Sequence, residues 1–169
     1  MQSSFLELCR RRRSIRKFTN QPVEQQKIDT ILQCALMAPS GKRLNPWTFY
    51  VVTDNAIVQQ LAACKTYGSM MFQTAQAAIV VALDTSVTDT WQCDGAIAAH
   101  NILLAAEDLG IGACWCQVYQ REGAEQLVKS LCHIDERLTV LCVIALGYKD
   151  EQRQLYDLEK LPYNKIKQQ

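Results

Sequence analysis

Six cations lie within eight positions near the amino terminus, in the segment RRRRSIRK at 10–17. If this segment is extended, Arg12, Ser14 and Arg16 point to one side, because alternate side chains of an extended chain share a face. Two guanidinium groups and a hydroxyl on one side suit a phosphate monoester. The segment therefore predicts a phosphate-binding site, while a solvated basic surface and a weak nucleic-acid contact remain open alternatives.

A second candidate site is the loop APSGKRLNPWTF at 38–49. Ser40 and Gly41 offer backbone donors and allow the close approach of a flat ligand. The amide of Asn45 has a donor and an acceptor, which suit the edge of a pyrimidine-like ring, and Arg43 adds positive charge. The alternative interpretation is a plain connection between a helix and a strand.

A third candidate site is LGIGACWCQ at 109–117, in which Gly110 and Gly112 let the backbone bend. The pattern stops short of G-x-G-x-x-G, so we expect no Rossmann dinucleotide site. Backbone N–H groups could face a ligand at three positions: Trp115, Cys116 and Gln117.

No familiar catalytic constellation accompanies these segments. The sequence has no G-x-S-x-G, P-loop or H-E-x-x-H pattern, and His100 and His133 lack metal-ligand spacing. We interpret His100 as a core residue of an apolar helix. The eight cysteines include no C-x-x-C pair, so we expect no metal site. Because the sequence shows no export signal, we interpret them as reduced, mostly buried thiols of a cytoplasmic protein. If the chain is an enzyme, a bound cofactor must supply the reactivity, and we assign no catalytic side chain.

The composition predicts one globular domain spanning 1–169. The chain has a mass of 19.1 kDa, a formal net charge of +1 and 49% hydrophobic residues. No apolar run reaches the roughly 18 residues of a membrane span, and the amino terminus lacks a secretory pattern. The near-neutral charge argues against nucleic acid and anionic membranes as partners.

The apolar patterns predict an irregular series of helices and strands, which favours an α+β fold over a doubly wound sheet. The segment 93–109 is apolar on nearly all sides, so we expect a partner chain to cover its second face. The polar residues from about 150 to 169 resemble an extended arm, for which a partner subunit is one docking surface. Helices are predicted over 3–12, 24–37, 55–65, 93–109 and 121–130, and strands over 48–53, 77–83, 113–119 and 138–148.

Four segments, taken in order, resemble the nitroreductase-like family of FMN-dependent oxidoreductases. They are RRSIRKF at 12–18, APSGKRLNPW at 38–47, DGAIAAHNILLAAEDLGIGACW at 94–115 and ALGY at 145–148. Each motif alone is weak, but their order and their spread over most of the chain are specific. The short length resembles the compact branch of the family.

The resemblance implies a central, mainly antiparallel sheet flanked by helices, in an intertwined homodimer with two FMN molecules at its interface. It implies contacts to the FMN phosphate and ribityl chain from Arg12, Arg13, Ser14 and Arg16, with Arg153 as a further phosphate partner. The loop residues Ser40, Gly41, Arg43 and Asn45 would meet the flavin ring from the other subunit. The backbone around Trp115, Cys116 and Gln117 would form the wall near flavin N5 and O4.

The implied activity is hydride transfer from NADH or NADPH through flavin N5 to an electron-poor acceptor such as a nitroaromatic or quinone, by a ping-pong mechanism. Two residues of the loop at 38–49 depart from the family pattern: Arg43 replaces the common Asn, and Asn45 replaces the common Gln. They motivate an alternative in which the protein binds FMN as a carrier or sensor with little turnover. A further departure, His100 in place of Gln, lies in the apolar helix.

Overall fold

The computed structural model describes residues 4–168, so the predicted start of the first helix at residue 3 lies outside the described range. The predicted helices and strands are all present, with bounds that shift by a few residues. The predicted helix at 55–65 is divided into an α-helix and the 3-10 helix Leu61–Cys64. The helices are α1 (Phe5–Arg11), α2 (Gln25–Leu36), α3 (Asn55–Gln60), α4 (Trp91–Asp108) and α5 (Ala124–Cys132), and the strands are β1 (Trp47–Val52), β2 (Ala77–Leu83), β3 (Gly112–Gln117) and β4 (Thr139–Gly147).

The four strands form one sheet in the order β1-β2-β4-β3, and all three neighbouring pairs are antiparallel. The central strand β2 is buried along its whole length, as its unbroken apolar sequence predicts. The sheet leaves β1 and β3 as edge strands. This architecture confirms the predicted α+β fold with a mainly antiparallel sheet.

Helices cover both faces of the sheet, and side chains alternate between the two resulting cores. Ile79 and Val81 of β2 pack towards α2 and α4. Val80 and Ala82 pack on the other face, in the core that includes residues of α3, α5 and the 3-10 helices. The sheet therefore holds β3 rigidly at one edge, between two filled layers.

Helix α4 has one buried face and one exposed face within the chain. Its small residues let it lie close to the sheet: a Cβ on Gly95 would come within 2.8 Å of side-chain carbons of Leu83 and Leu141. On the opposite face, Ile97 is 41% exposed and His100 is exposed as well. The interpretation of His100 as a core residue is therefore wrong for the single chain, whereas the uncovered apolar face is what the sequence predicts.

The first part of the carboxyl-terminal arm lies along the basic segment of its own chain. The backbone N–H of Asp150 donates to the carbonyl of Lys17 at 3.0 Å, and that of Tyr156 donates to the carbonyl of Arg10 at 3.0 Å. Two short 3-10 helices, Leu158–Lys160 and Tyr163–Lys165, follow. Within residues 4–168, no helix is both long and apolar enough to cross a membrane.

Candidate active site

The outer edge of β3 offers backbone groups to a ligand. Ser14 forms an isolated β-bridge with Ala113, and the N–H of Ile15 donates to the Ala113 carbonyl at 3.0 Å. The backbone groups of Ala113 therefore point outward, away from β4. Because these directions alternate along a strand, the N–H and C=O groups of Trp115 and Gln117 also point outward. Across the described part of the chain, no strand pairs with this edge beyond Ala113. The edge therefore leaves the N–H groups of Trp115 and Gln117 and the Gln117 carbonyl open, while the Trp115 carbonyl accepts a long contact from the Cys114 thiol at 3.8 Å.

Two polar side chains of β3 are fixed by hydrogen bonds to each other and to the following turn. The indole Nε1–H of Trp115 donates to Oε1 of Gln117 at 2.9 Å, and Nε2 of Gln117 donates to the carbonyl of Tyr119 at 3.2 Å. Tyr119 in turn packs edge-to-face against Trp91, with ring centroids 4.9 Å apart. This chain of contacts makes the end of the strand a preorganised wall.

The basic segment leaves helix α1 after Arg11, and its remaining residues pass beside the start of β3, where Ser14 forms a β-bridge with Ala113. This β-bridge holds Ser14 in place. Burial raises the pKa of the neighbouring Cys114 thiol, and the charge of Arg16 and the hydroxyl of Ser14 partly offset this rise. Burial lowers the pKa of His100, and the charge of Arg12 lowers it further. No carboxylate within residues 4–168 pairs with the side chain of Arg12 or Arg16. Both guanidinium groups are therefore available to an anion.

The other arginines of the cluster are engaged within the chain. Arg10 pairs with Glu7 at 2.8 Å, and Arg11 lies 3.8 Å from the buried Glu107. Arg13 points towards the arm, where Nη1 donates to the carbonyl of Gln154 and the guanidinium stacks on the ring of Tyr156 at 4.6 Å. The cluster is thus divided into cations that hold structure and cations that face open space.

Arg153 lies beside the basic segment because Glu151 contacts both of them. Glu151 was not among the residues predicted from the sequence. One oxygen of Glu151 accepts the backbone N–H groups of Arg16 at 2.5 Å and Lys17 at 3.3 Å, while the other lies 2.5 Å from Nη2 of Arg153. Burial alone would raise the pKa of Glu151, but the Arg16 amide and the charge of Arg153 outweigh it and lower the pKa. Glu151 therefore fixes the arm and orients Arg153.

A cavity of about 530 Å³ lies at this junction. Basic side chains and Glu151 form one wall, and the segment around the 3-10 helix Met70–Gln73 forms the other. That second wall could not be recognised in the sequence, because its residues carry no chemical signature of their own. The lining residues are Arg16, Lys17, Gly68, Met70, Met71, Gln73, Thr74, Glu151 and Arg153.

The loop of the second candidate site has a constrained backbone. Lys42, Arg43 and Asn45 all have positive φ angles, between 47° and 59°, which non-glycine residues adopt rarely. The hydroxyl of Ser40 donates to Oδ1 of Asn45 at 2.7 Å and accepts the Asn45 N–H at 3.0 Å. Left-handed conformations of non-glycine residues are energetically unfavourable. They are found most often at ligand-binding sites, where the surrounding structure enforces them.

A buried carboxylate anchors this loop to α4. The N–H of Gly41 donates to Oδ1 of Asp94 at 3.0 Å, and the Thr90 hydroxyl donates to Oδ2 at 3.4 Å. A Cβ on Gly41 would come within 2.8 Å of the Thr90 hydroxyl oxygen, so a side chain at this position would displace the hydroxyl that binds Asp94. Sequence reasoning missed Asp94, although an acidic residue near the start of an apolar helix was a usable signal.

One chain brings together only part of the predicted site. The basic segment, Arg153 and the β3 edge adjoin one another. The loop at 40–45 lines a different cavity of about 490 Å³, together with the segment at 85–90, and none of its residues lines the cavities beside the basic segment. Within one chain, the predicted ring-contacting loop therefore does not reach the basic segment.

Comparison with known proteins identifies the family. The family model for the nitroreductase family matches residues 9–90 and 64–148. The chain belongs to the nitroreductase family. A relative from Archaeoglobus fulgidus named "Putative NADH dehydrogenase/NAD(P)H nitroreductase" is 36% identical over 158 residues, which cover 91% of this chain and 90% of the relative.

Solved nitroreductase structures share the fold over nearly the whole chain. An FMN-dependent nitroreductase from Clostridium difficile has a TM-score of 0.93 at 37% identity, covering 96% of this chain and 98% of its own. A structure from Desulfovibrio desulfuricans, described as a "putative nitroreductase in complex with fmn", has a TM-score of 0.79 at 29% identity, covering 95% and 96%. Both comparisons support the nitroreductase fold for this chain.

The candidate site described above has the donors that an FMN molecule needs. Unpaired guanidinium groups at Arg12 and Arg16 match a phosphate, and the outward backbone groups of Trp115 and Gln117 match the polar edge of a flat ring. The two regions adjoin along β3, so one elongated ligand can use both. The residues present therefore fit FMN.

Proposed function

We propose that this nitroreductase-family protein is an FMN-dependent oxidoreductase that passes hydride from NADH or NADPH to an electron-poor small molecule such as a nitroaromatic or quinone. The observation that carries the proposal is the placement of two unpaired guanidinium groups, Arg12 and Arg16, beside the open edge of β3. The nitroreductases to which the chain is similar, one of them named FMN-dependent and another solved with FMN, support the same cofactor.

The phosphate end of the site is formed by Arg12, Ser14, Arg16 and Arg153. Their charges and hydroxyl group bind the phosphate, and Glu151 holds Arg153 in place. We assign Arg13 to this region as well, although its side chain binds the arm, so its contribution is to order the neighbouring backbone.

The ring end is formed by the wall of Trp115, Cys116 and Gln117. When bound, FMN supplies N5, which accepts a hydride from the nicotinamide and passes it to the acceptor. The outward backbone groups of Trp115 and Gln117 orient the ring by hydrogen bonds, while Cys116 points its thiol into the core. With the chemistry on the cofactor, the chain needs no catalytic side chain.

A second subunit completes the site in this proposal. The loop residues Ser40, Gly41, Arg43 and Asn45 of one subunit would cover the flavin ring of the other. The exposed apolar residues of α1, α2 and α4 adjoin a cavity of about 410 Å³ and provide the surface for a second copy of the chain. An apolar surface of this kind on a folded domain is typical of an interface.

One pocket over the flavin serves donor and acceptor in turn, which gives a ping-pong order. Because the two substrates would share this pocket, the oxidised nicotinamide would leave before the acceptor binds. All eight cysteines are free thiols in the structure, which supports the cytoplasm as the working compartment.

An anaerobic absorbance experiment tests the proposal. The purified protein, reconstituted with FMN, is expected to show flavin bands that bleach promptly on addition of NADH or NADPH and return on addition of a quinone or nitroaromatic. A protein that binds no FMN would refute the proposal. Stable flavin bands in the presence of both nicotinamides would instead favour a flavin carrier or sensor, the alternative that the unusual Arg43 and Asn45 suggest.

A further inference from the structure

Two buried thiols face each other beneath the candidate site. The Sγ atoms of Cys64 and Cys116 are 4.0 Å apart, at the contact between the 3-10 helix Leu61–Cys64 and β3. Cys64 is 4% exposed and Cys116 is fully buried. They come from positions 52 residues apart in the sequence, so the fold brings them together. The proposed hydride transfer uses neither thiol.

The surroundings make these two thiols chemically unequal. A hydrogen bond from Cys116 lowers the pKa of Cys64, and the charge of Lys65 and the hydroxyl of Ser69 lower it further against the effect of burial. The same thiol pair and burial raise the pKa of Cys116. Cys64 also ends a short 3-10 helix and keeps 4% exposure, whereas Cys116 lies fully buried within β3. Position and charge together make Cys64 the nucleophile of the pair and Cys116 the resolving thiol, because the thiolate is the reactive form.

We propose that Cys64 and Cys116 form a reversible disulfide under peroxide, and that this bond weakens the binding of FMN. The Cys64 thiolate attacks one oxygen of hydrogen peroxide, which gives a sulfenic acid and hydroxide. The sulfur of Cys116 then attacks the Cys64 sulfur, loses its proton and expels hydroxide. The two thiols lose two electrons and two protons in total, and the peroxide becomes two water molecules. A dithiol reductant reduces the disulfide back to the two thiols.

The two sides of the pair differ in their freedom to move. A disulfide requires the sulfurs to approach to about 2.05 Å, so one of them must shift. Cys116 is held in β3, which is paired with β4 opposite Val143. Cys64 ends a short 3-10 helix and precedes a surface turn with an exposed Tyr67 and a Gly68 at φ 83°. The shift is therefore expected on the Cys64 side.

This movement connects the disulfide to the candidate phosphate site. Four residues after Cys64, Gly68 lines the cavity of about 530 Å³ whose opposite wall contains Arg16 and Arg153. Displacing the turn reshapes that cavity. The formation of the bond rests on the thiol geometry alone, whereas its effect on FMN rests on the proposed function.

The bond itself is tested on the full-length protein by peptide mapping. The reduced protein is treated with hydrogen peroxide, blocked with an alkylating reagent, digested and analysed by mass spectrometry. We expect a peptide linking Cys64 to Cys116 that disappears after dithiothreitol. Cys64→Ser should abolish it, and Cys64→Ala serves as a second variant that introduces no hydroxyl group. Cys132→Ser is the matched control, because Cys132 is a half-buried thiol outside the pair, and should retain the link.

The effect on FMN is measured as a second readout. Peroxide should weaken the affinity of the wild type for FMN about fivefold or more, the lower end of typical coupling between sites, and should leave Cys64→Ser unchanged. Oxidation confined to other cysteines, such as the exposed Cys93, would overturn the disulfide. Full formation of the Cys64–Cys116 disulfide with an unchanged FMN affinity would refute the proposed effect of the bond on FMN binding. Failure of the reduced protein to bind FMN would refute the proposed function and leave the mapping result standing.

Discussion

The side chain of Arg16 offers a direct measurement of the phosphate contact. Its backbone N–H donates to Glu151, while no carboxylate within residues 4–168 pairs with its guanidinium group. Arg16→Ala therefore removes a charge without breaking an ion pair of the fold. A hydrogen bond to a charged group contributes about 1.5–3 kcal/mol, which corresponds to a Kd for FMN raised about 10- to 150-fold.

The comparison of FMN with riboflavin isolates the phosphate from the rest of the ligand. Because riboflavin lacks the phosphate, Arg16→Ala should leave its Kd nearly unchanged, so the preference for FMN should fall by the same factor as the FMN affinity. Quenching of flavin fluorescence gives both constants. Raising the salt concentration should weaken FMN binding more in the wild type than in the variant, because salt screens the exposed charge.

A matched variant controls for the loss of any arginine. Arg137 has an 87% exposed side chain and pairs with Asp135 at 2.6 Å, outside the candidate site. Arg137→Ala should alter neither flavin affinity, since an exposed ion pair contributes little. Equal losses for FMN and riboflavin in Arg16→Ala would refute a phosphate contact and indicate a change in the shape of the site. An unchanged FMN affinity would refute it as well.

Three further variants test the positioning residues and the interface. Asp94→Ala leaves the Gly41 N–H unpaired and should lower the free energy of unfolding by about 1–3 kcal/mol in urea titrations, whereas an unchanged value would contradict the anchor. Glu151→Gln should weaken FMN binding about tenfold and speed proteolysis of the arm, because a charge-assisted contact to Arg153 is lost. An arm that resists protease as well as it does in the wild type would contradict the role of Glu151 in fixing it. Ile97→Glu should yield monomers in sedimentation velocity, since burying an unpaired carboxylate at an interface costs several kcal/mol, and a persistent dimer would place the interface elsewhere.

The elements of the fold were largely predictable because their signals are local. The apolar run at 77–83 coincides with β2, and the periodic residues of α2 and the long apolar segment of α4 appear within a few residues of their predicted bounds. The division of the predicted helix at 55–65 was not predictable in this way. Its 3-10 turn, Leu61–Cys64, lies where Leu61 and Cys64 are buried in the core, so tertiary packing decides the local form.

The positioning residues could not be predicted because their partners are distant in sequence. Glu151 contacts the amide of Arg16 across 135 positions, and Asp94 contacts Gly41 across 53. A single sequence carries no signal for such pairs. His100 shows the complementary error: an apolar pattern places it in a helix, but whether its face is covered depends on packing beyond that helix.

The structure also explains how a nearly neutral chain can present a site for one phosphate. Glu7 and Glu107 neutralise Arg10 and Arg11, and Glu107 also binds Lys149 at 2.7 Å. These carboxylates offset the two outer arginines and leave the remaining charges of the cluster, on Arg12, Arg13, Arg16 and Lys17, within one short segment. A field confined in this way suits a small anionic cofactor better than a nucleic-acid backbone, which needs charge spread over many phosphates.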